Sequence, residues 1–106
     1  MRITIHGKDF KPTVADKEYV ATKLIKLGRF STKIQRIGVE LDVDHNVTHG
    51  KKFRIEVWVS LANKDVKAAL KAEDFQEEVD LVYPKLERQL TKLKEKKIDR
   101  RKGGTS

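Results

Sequence analysis

The chain has 106 residues, 24 Lys and Arg against 16 Asp and Glu for a formal charge of +8, no cysteine and 38% hydrophobic residues. That length suits one domain with a single core, and the lack of cysteine excludes a disulfide framework and fits a reducing compartment. No stretch approaches the roughly 20 apolar residues of a membrane span, and residues 1–9 contain no apolar run of signal-peptide length, so a soluble, cytoplasmic protein is expected.

At the N-terminus, Ile3 and Ile5 alternate with Arg2, Thr4 and His6 and the run stops at Gly7, the pattern of a short half-buried strand. Thr13, with Asp16 three residues on, forms a weak capping box and opens a helix. Val20, Leu24 and Leu27 follow at helical spacing, and Gly28 stands near the end. The period then drops to two. Ile37, Val39, Leu41 and Val43 alternate with Gly38, Glu40, Asp42 and Asp44. After a polar loop, Phe53, Ile55, Val57, Val59 and Leu61 alternate with Arg54, Glu56, Trp58 and Ser60. Asn63 and Lys64 turn the chain into Val66, Ala68, Leu70 and Ala72. Three such runs with short links predict an antiparallel meander. A last helix begins at Asp74, with Glu77 as its capping partner and Phe75, Val79, Val82, Leu86, Leu90 and Leu93 on one face. The order is β-α-β-β-β-α, an α+β fold. Every strand has one apolar face, so both helices are expected on the same side of a four-stranded sheet.

Charge is concentrated at the end of the chain. Residues 85–102 hold nine basic and three acidic side chains, which gives +6 of the total +8. On a helical wheel Lys85, Arg88, Lys92 and Lys96 form a stripe about 16 Å long, roughly 115° from the apolar stripe and clear of Glu87 and Glu95. Lys23, Lys26 and Arg29 repeat the theme late in the first helix. Cations late in a helix also oppose its dipole, but that does not explain a stripe that starts well before the end. Clustered Lys and Arg that release counterions from phosphates suit a polyanion. With both helices on one side of the sheet, the two basic faces are expected to line one groove.

Other candidates carry less. Trp58 falls on the polar face of the sheet. It either stacks on a base or covers the stems of Arg54 or Lys71, and packing is favoured because a lone aromatic makes a poor platform. His45 and His49 near Asp42 and Asp44 have metal-binding chemistry but no ligand spacing, and His6 reads as an exposed histidine. The acidic cluster Glu73, Asp74, Glu77, Glu78 and Asp80 sits where a helix dipole favours it, so capping is its expected job. No nucleophile elbow, phosphate-cradling loop or catalytic triad is present. No enzyme activity, cofactor, metal, membrane or small-molecule substrate is expected.

The element order, the junction Lys71-Ala-Glu-Asp-Phe75, the first-helix segment from Glu18 to Leu27 and above all Lys85-Leu-Glu-Arg-Gln-Leu-Thr-Lys-Leu93 resemble the bacterial ribosome hibernation-promoting factors and the related ribosome-associated inhibitor. The likeness runs over residues 1–97. It implies a fold similar to a double-stranded-RNA-binding domain. It also implies binding to small-subunit ribosomal RNA in the mRNA/tRNA channel, which would inhibit translation and store idle ribosomes under stress or in stationary phase. The basic positions of the family carry over onto Lys23, Lys26, Arg29, Lys85, Arg88, Lys92 and Lys96. Residues 1–98 are then the ribosome-binding domain and 99–106 a basic, flexible tail. The chain departs from the pattern in carrying Pro84 inside the last helix, where a kink is expected with the ring toward solvent. It also has neither the acidic tail of the inhibitor branch nor the dimerisation domain of the long form, so its likeness is to the short form or to the N-terminal domain of a long one. The rival readings are a generic double-stranded-RNA-binding module and an adaptor whose basic helix docks an acidic protein.

Overall fold

A computed structural model describes residues 1–31 and 33–104, with side chains through residue 94. The strands are β1 (Arg2–Lys8), β2 (Ile34–Val43), β3 (Phe53–Leu61) and β4 (Asp65–Ala72), and the helices are α1 (Val14–Leu24) and α2 (Phe75–Gly104). Thr13 and Asp16 make both bonds of the capping box: Thr13 Oγ1 accepts from the Asp16 amide at 3.0 Å and Asp16 Oδ2 from the Thr13 amide at 2.9 Å. After Leu24 the helix tightens into a 3₁₀ turn over Ile25–Arg29, so Gly28 lies inside that turn. β1 runs through Gly7 rather than stopping there, because the chain doubles back at once. A Cβ on Gly7 would lie 1.9 Å from the Phe10 carbonyl oxygen, so only glycine allows the approach. Asp74 caps α2, its Oδ1 accepting from the Glu77 amide at 2.8 Å. Pro84 is accommodated within α2 and is exposed, as the wheel requires. The tail expected over 99–106 falls where side chains, and beyond Gly104 the backbone too, lie outside the described residues.

The sheet order is β1-β2-β3-β4, with β1 parallel to β2 and the other pairs antiparallel. A parallel first pair follows from α1, which carries the chain back to the start of the sheet. Ile34 and Ile37 are both buried although three residues apart. A register shift between Ile34 and Arg36 inserts the extra residue that turns both inward. The inner face of the sheet supplies Ile37, Val39, Leu41, Ile55, Val57, Val59, Val66 and Ala68 to a core closed by Val20, Leu24 and Leu27 from the α1 side and by Val79, Val82, Leu86 and Leu90 of α2. Both helices therefore cover one face. Phe10 plugs one end of the core, its ring 6.3 Å from that of Phe53 and 6.1 Å from that of Phe75.

Two polar features depend on how α2 is seated. The first joins the helices: the Tyr19 hydroxyl donates to Asp80 Oδ1 at 2.6 Å, and that bond, with partial burial, raises the phenol pKa. The second corrects the capping role expected for Glu78. The wheel places Glu78 roughly 80° from Leu86, at the margin of the apolar stripe. It is 1% exposed, and its Oε2 has no hydrogen-bond partner. Desolvation, then the nearby Asp74 carboxylate, push its pKa up to about 8.

Replacing Tyr19 by Phe is expected to cost about 0.5–1.5 kcal/mol in urea unfolding, and an unchanged midpoint would show that the hydroxyl contributes nothing to the helix pairing. For Glu78 the folded chain holds the proton up to about 8, whereas an unfolded carboxyl releases it near 4.5. Its contribution to stability is thus fully present below 4.5, falls as pH rises through 4.5–8 and changes no further above that window. The expected slope is up to about 1.4 kcal/mol per pH unit. Urea titrations between pH 5 and 8 should show the slope in the parent chain and a flatter profile in Glu78→Gln; equal slopes would assign the proton elsewhere.

Candidate nucleic-acid interface

The seam between the helices holds two of the cations singled out from the sequence. Lys23 Nζ lies 3.6 Å from Asp80 Oδ1 and 5.7 Å from the Tyr83 ring centroid, with its side chain 32% exposed. Arg29 Nη2 donates to the Tyr83 hydroxyl at 3.4 Å, and its guanidinium carbon lies 5.9 Å from the centre of the Phe30 ring. The Tyr83 oxygen first, and Glu87 at longer range, hold the guanidinium pKa above its ordinary value. Both side chains are thus engaged by α2. Lys26, in the 3₁₀ turn, is exposed.

Lys85, Arg88 and Lys92 are exposed as the wheel predicts, and none of them pairs with a carboxylate among the described residues. The side chain of Lys96 lies outside the described residues. The expectation of a single groove between the helices is corrected. Relative to Leu86, Asp80 and Tyr83 lie roughly 60–120° around the helix in one direction. Gln89 lies roughly 60° the other way, with Lys85, Lys92 and Arg88 farther round at roughly 100–160°. Asp80 and Tyr83 meet α1, whereas Gln89 Nε2 donates to the Lys67 carbonyl of β4 at 2.8 Å. The basic stripe therefore overlooks the β4 edge and faces away from α1. The seam and the stripe are two separate basic zones. The physical reason is the apolar stripe of α2: once Val79, Val82, Leu86 and Leu90 sit on the sheet, the sides assigned to acid and base are fixed.

On the opposite face of the sheet, Glu56 is 9% exposed and bridges Arg54 at 3.2 Å and Lys67 at 2.8 Å. The Lys67 bond, then that of Arg54, hold its pKa below the usual carboxylate value against the opposing effect of burial. Trp58 packs under Lys67, whose Nζ is 5.6 Å from the ring centroid, rather than over Arg54 or Lys71. His45 Nε2 bonds the Asp9 carbonyl oxygen at 2.9 Å and ties the β2–β3 loop to the turn after β1. No group of three or more His, Cys, Asp or Glu is placed to hold a metal among the described residues, and no helix there is long and apolar enough to cross a membrane. Sequence reasoning missed Tyr19, Asp80 and Tyr83 as organisers of the seam. The one available signal was the angular position of Asp80 and Tyr83, on the side of α2 opposite the cations.

Residues 3–98 match the family described as Sigma 54 modulation protein / S30EA ribosomal protein. A ribosome hibernation promoting factor of Azotobacter vinelandii is 33% identical over 103 residues, which cover 97% of this chain and 92% of that protein. A ribosome hibernation promotion factor of a Picosynechococcus strain is 31% identical over 102 residues, and there the chain spans only 53% of the relative's length. Among solved structures, a ribosomal subunit interface protein from Coxiella burnetii superposes with a TM-score of 0.75 at 26% identity, covering 89% of this chain and 98% of the other. A TM-score of that size over nearly all of the sheet and both helices, together with a family match from the first strand to the far end of the basic stripe, has one reading: the chain belongs to the Sigma 54 modulation protein / S30EA ribosomal protein family.

Proposed function

We propose that this chain is a non-enzymatic, cytoplasmic translation inhibitor. It binds the small ribosomal subunit through ribosomal RNA, occupies the mRNA/tRNA channel and promotes ribosome hibernation under stress or in stationary phase. The observation that carries the reading is the exposed stripe of Lys85, Arg88 and Lys92, which has no compensating carboxylate among the described residues. The names of the relatives support it. Contacts of this kind go to phosphates and to shape rather than to base edges.

The two basic zones have different parts. Lys85, Arg88 and Lys92 are ready to meet phosphates as they stand, and Lys96 continues their spacing by one more turn. Lys26 adds an exposed charge beside the seam. Lys23 and Arg29 give up part of their contacts with Asp80 and Tyr83 when they reach for a phosphate, so each contributes less than a stripe cation.

Changing Lys85, Arg88 and Lys92 together to Glu is expected to abolish co-sedimentation with small subunits while leaving the circular dichroism spectrum unchanged. If each lost contact is one phosphate, single Ala variants should each lower the slope of log K against log salt by about 0.9. Stoichiometric pelleting of the triple variant would overturn the assignment of the stripe. Excess free duplex RNA should leave the parent chain bound; release by duplex would instead identify a general double-stranded-RNA binder.

A further inference from the structure

The sheet face opposite the helices has a local arrangement that the α2 stripe does not explain. Thr4, Gly38, Trp58 and Lys67 are successive partners across the four strands. Gly38 stands in the interior of β2, where glycine weakens a strand and offers no side chain to pack. Its backbone does not need glycine, because Gly50 is the glycine with positive φ. Its surroundings do not need it either: a Cβ there would lie 3.8 Å from Trp58 Cε3 and 3.9 Å from Thr4 Oγ1, ordinary contact distances. What the glycine does leave is a notch, with the indole as one wall and Thr4 as the other. Lys67, held at 2.8 Å by Glu56, takes up the far side of the ring row.

One step along the strands, about 6.7 Å away, Arg2 and Arg36 are direct partners on β1 and β2. Both are exposed, and neither pairs with a carboxylate among the described residues. Like charges placed opposite one another destabilise a sheet, and an anion seated between them reverses the sign of that interaction. An aromatic wall, a floor that carries no side chain of its own and a pair of guanidiniums thus lie side by side on the exposed face.

We propose that the notch over Gly38 binds a nucleotide, with the base against Trp58 and the phosphate between Arg2 and Arg36. The same chemistry is offered by a free nucleotide and by one unit of a single-stranded RNA, since every base presents a π-face to an aromatic side chain. A duplex does not fit, because its bases are stacked on one another. The site faces away from α2, so it stands independently of the ribosome reading.

Trp58 is the one tryptophan of the chain, so its intrinsic fluorescence reports the notch directly. The full chain is titrated with adenosine monophosphate, with a short single-stranded oligoadenylate and with an RNA duplex of the same length. Saturable quenching by the single strand and none by the duplex is expected. Quenching by the monophosphate as well identifies a site for free nucleotides, and silence with it assigns the notch to a strand. Gly38→Val, which fills the notch, and Arg36→Ser, which removes one guanidinium, should each weaken binding at least about tenfold, the scale of one lost stacking or phosphate contact. Their circular dichroism should be unchanged. The proposal is overturned by the absence of saturable quenching with both monophosphate and single strand, by equal quenching with duplex, or by undiminished binding of Gly38→Val. The variant with Lys85, Arg88 and Lys92 changed to Glu should still be quenched. If its quenching is lost, the signal comes from α2 and the notch is rejected; if quenching survives while ribosome pelleting fails, only α2 is implicated.

Discussion

The seating of α2 on the sheet is the constraint from which the rest follows. Val79, Val82 and Leu86 are fully buried and Leu90 nearly so. Four apolar side chains within three turns, each contributing about 1.5–3 kcal/mol on burial, leave the helix one rotational setting. A rotation of a single position, about 100°, would drive charged side chains into the core, where an unpaired charge costs several kcal/mol. Rotation fixes more than packing. It sends Asp80 and Tyr83 toward α1, Gln89 toward the edge of β4, and Lys85, Arg88 and Lys92 into solvent.

The positive charge of the chain is therefore divided by function of position. Lys23 of α1 meets an acid and Arg29 of the 3₁₀ turn a phenol across the seam, where both tie α2 to the first helical segment. Cations on the outer side of α2 meet nothing among the described residues, and the field they generate extends outward. Net charge alone does not separate these roles. Two lysines with the same exposure differ in what they offer a phosphate if one must first leave a carboxylate.

Much of this was legible from residue order. The runs from Ile37 to Val43, Phe53 to Leu61 and Val66 to Ala72 have a period of two, and burial follows it except at Glu56, which is buried on the opposite face between Arg54 and Lys67. Thr13 and Asp16 marked the start of α1, and the exposure of Lys85, Arg88 and Lys92 follows from their spacing against Leu86. The failures share a cause. Whether Glu78 is buried depends on the surface that α2 meets, since a wheel leaves a residue roughly 80° from the stripe undecided. The bond between Tyr19 and Asp80 joins residues 61 apart in the chain. The inward turn of both Ile34 and Ile37 required a bulge that no local pattern announces. The single groove failed for the same reason: a wheel gives angles within each helix but not which edge the neighbouring helix will meet.

Pro84 stands between the part of α2 that clasps α1, at Asp80 and Tyr83, and the part that carries the exposed cations from Lys85 onward. Proline has no amide proton, so the bond that would close on the Asp80 carbonyl is missing from the ladder. Beyond the gap the helix is still tied down, by Leu86 and Leu90 in the core and by Gln89 on the Lys67 carbonyl. The axis is thus held across the missing bond by side-chain packing rather than by the backbone ladder. The exposed cations from Lys85 to Lys92 therefore keep one fixed spacing over the sheet, set by the residues buried beneath them.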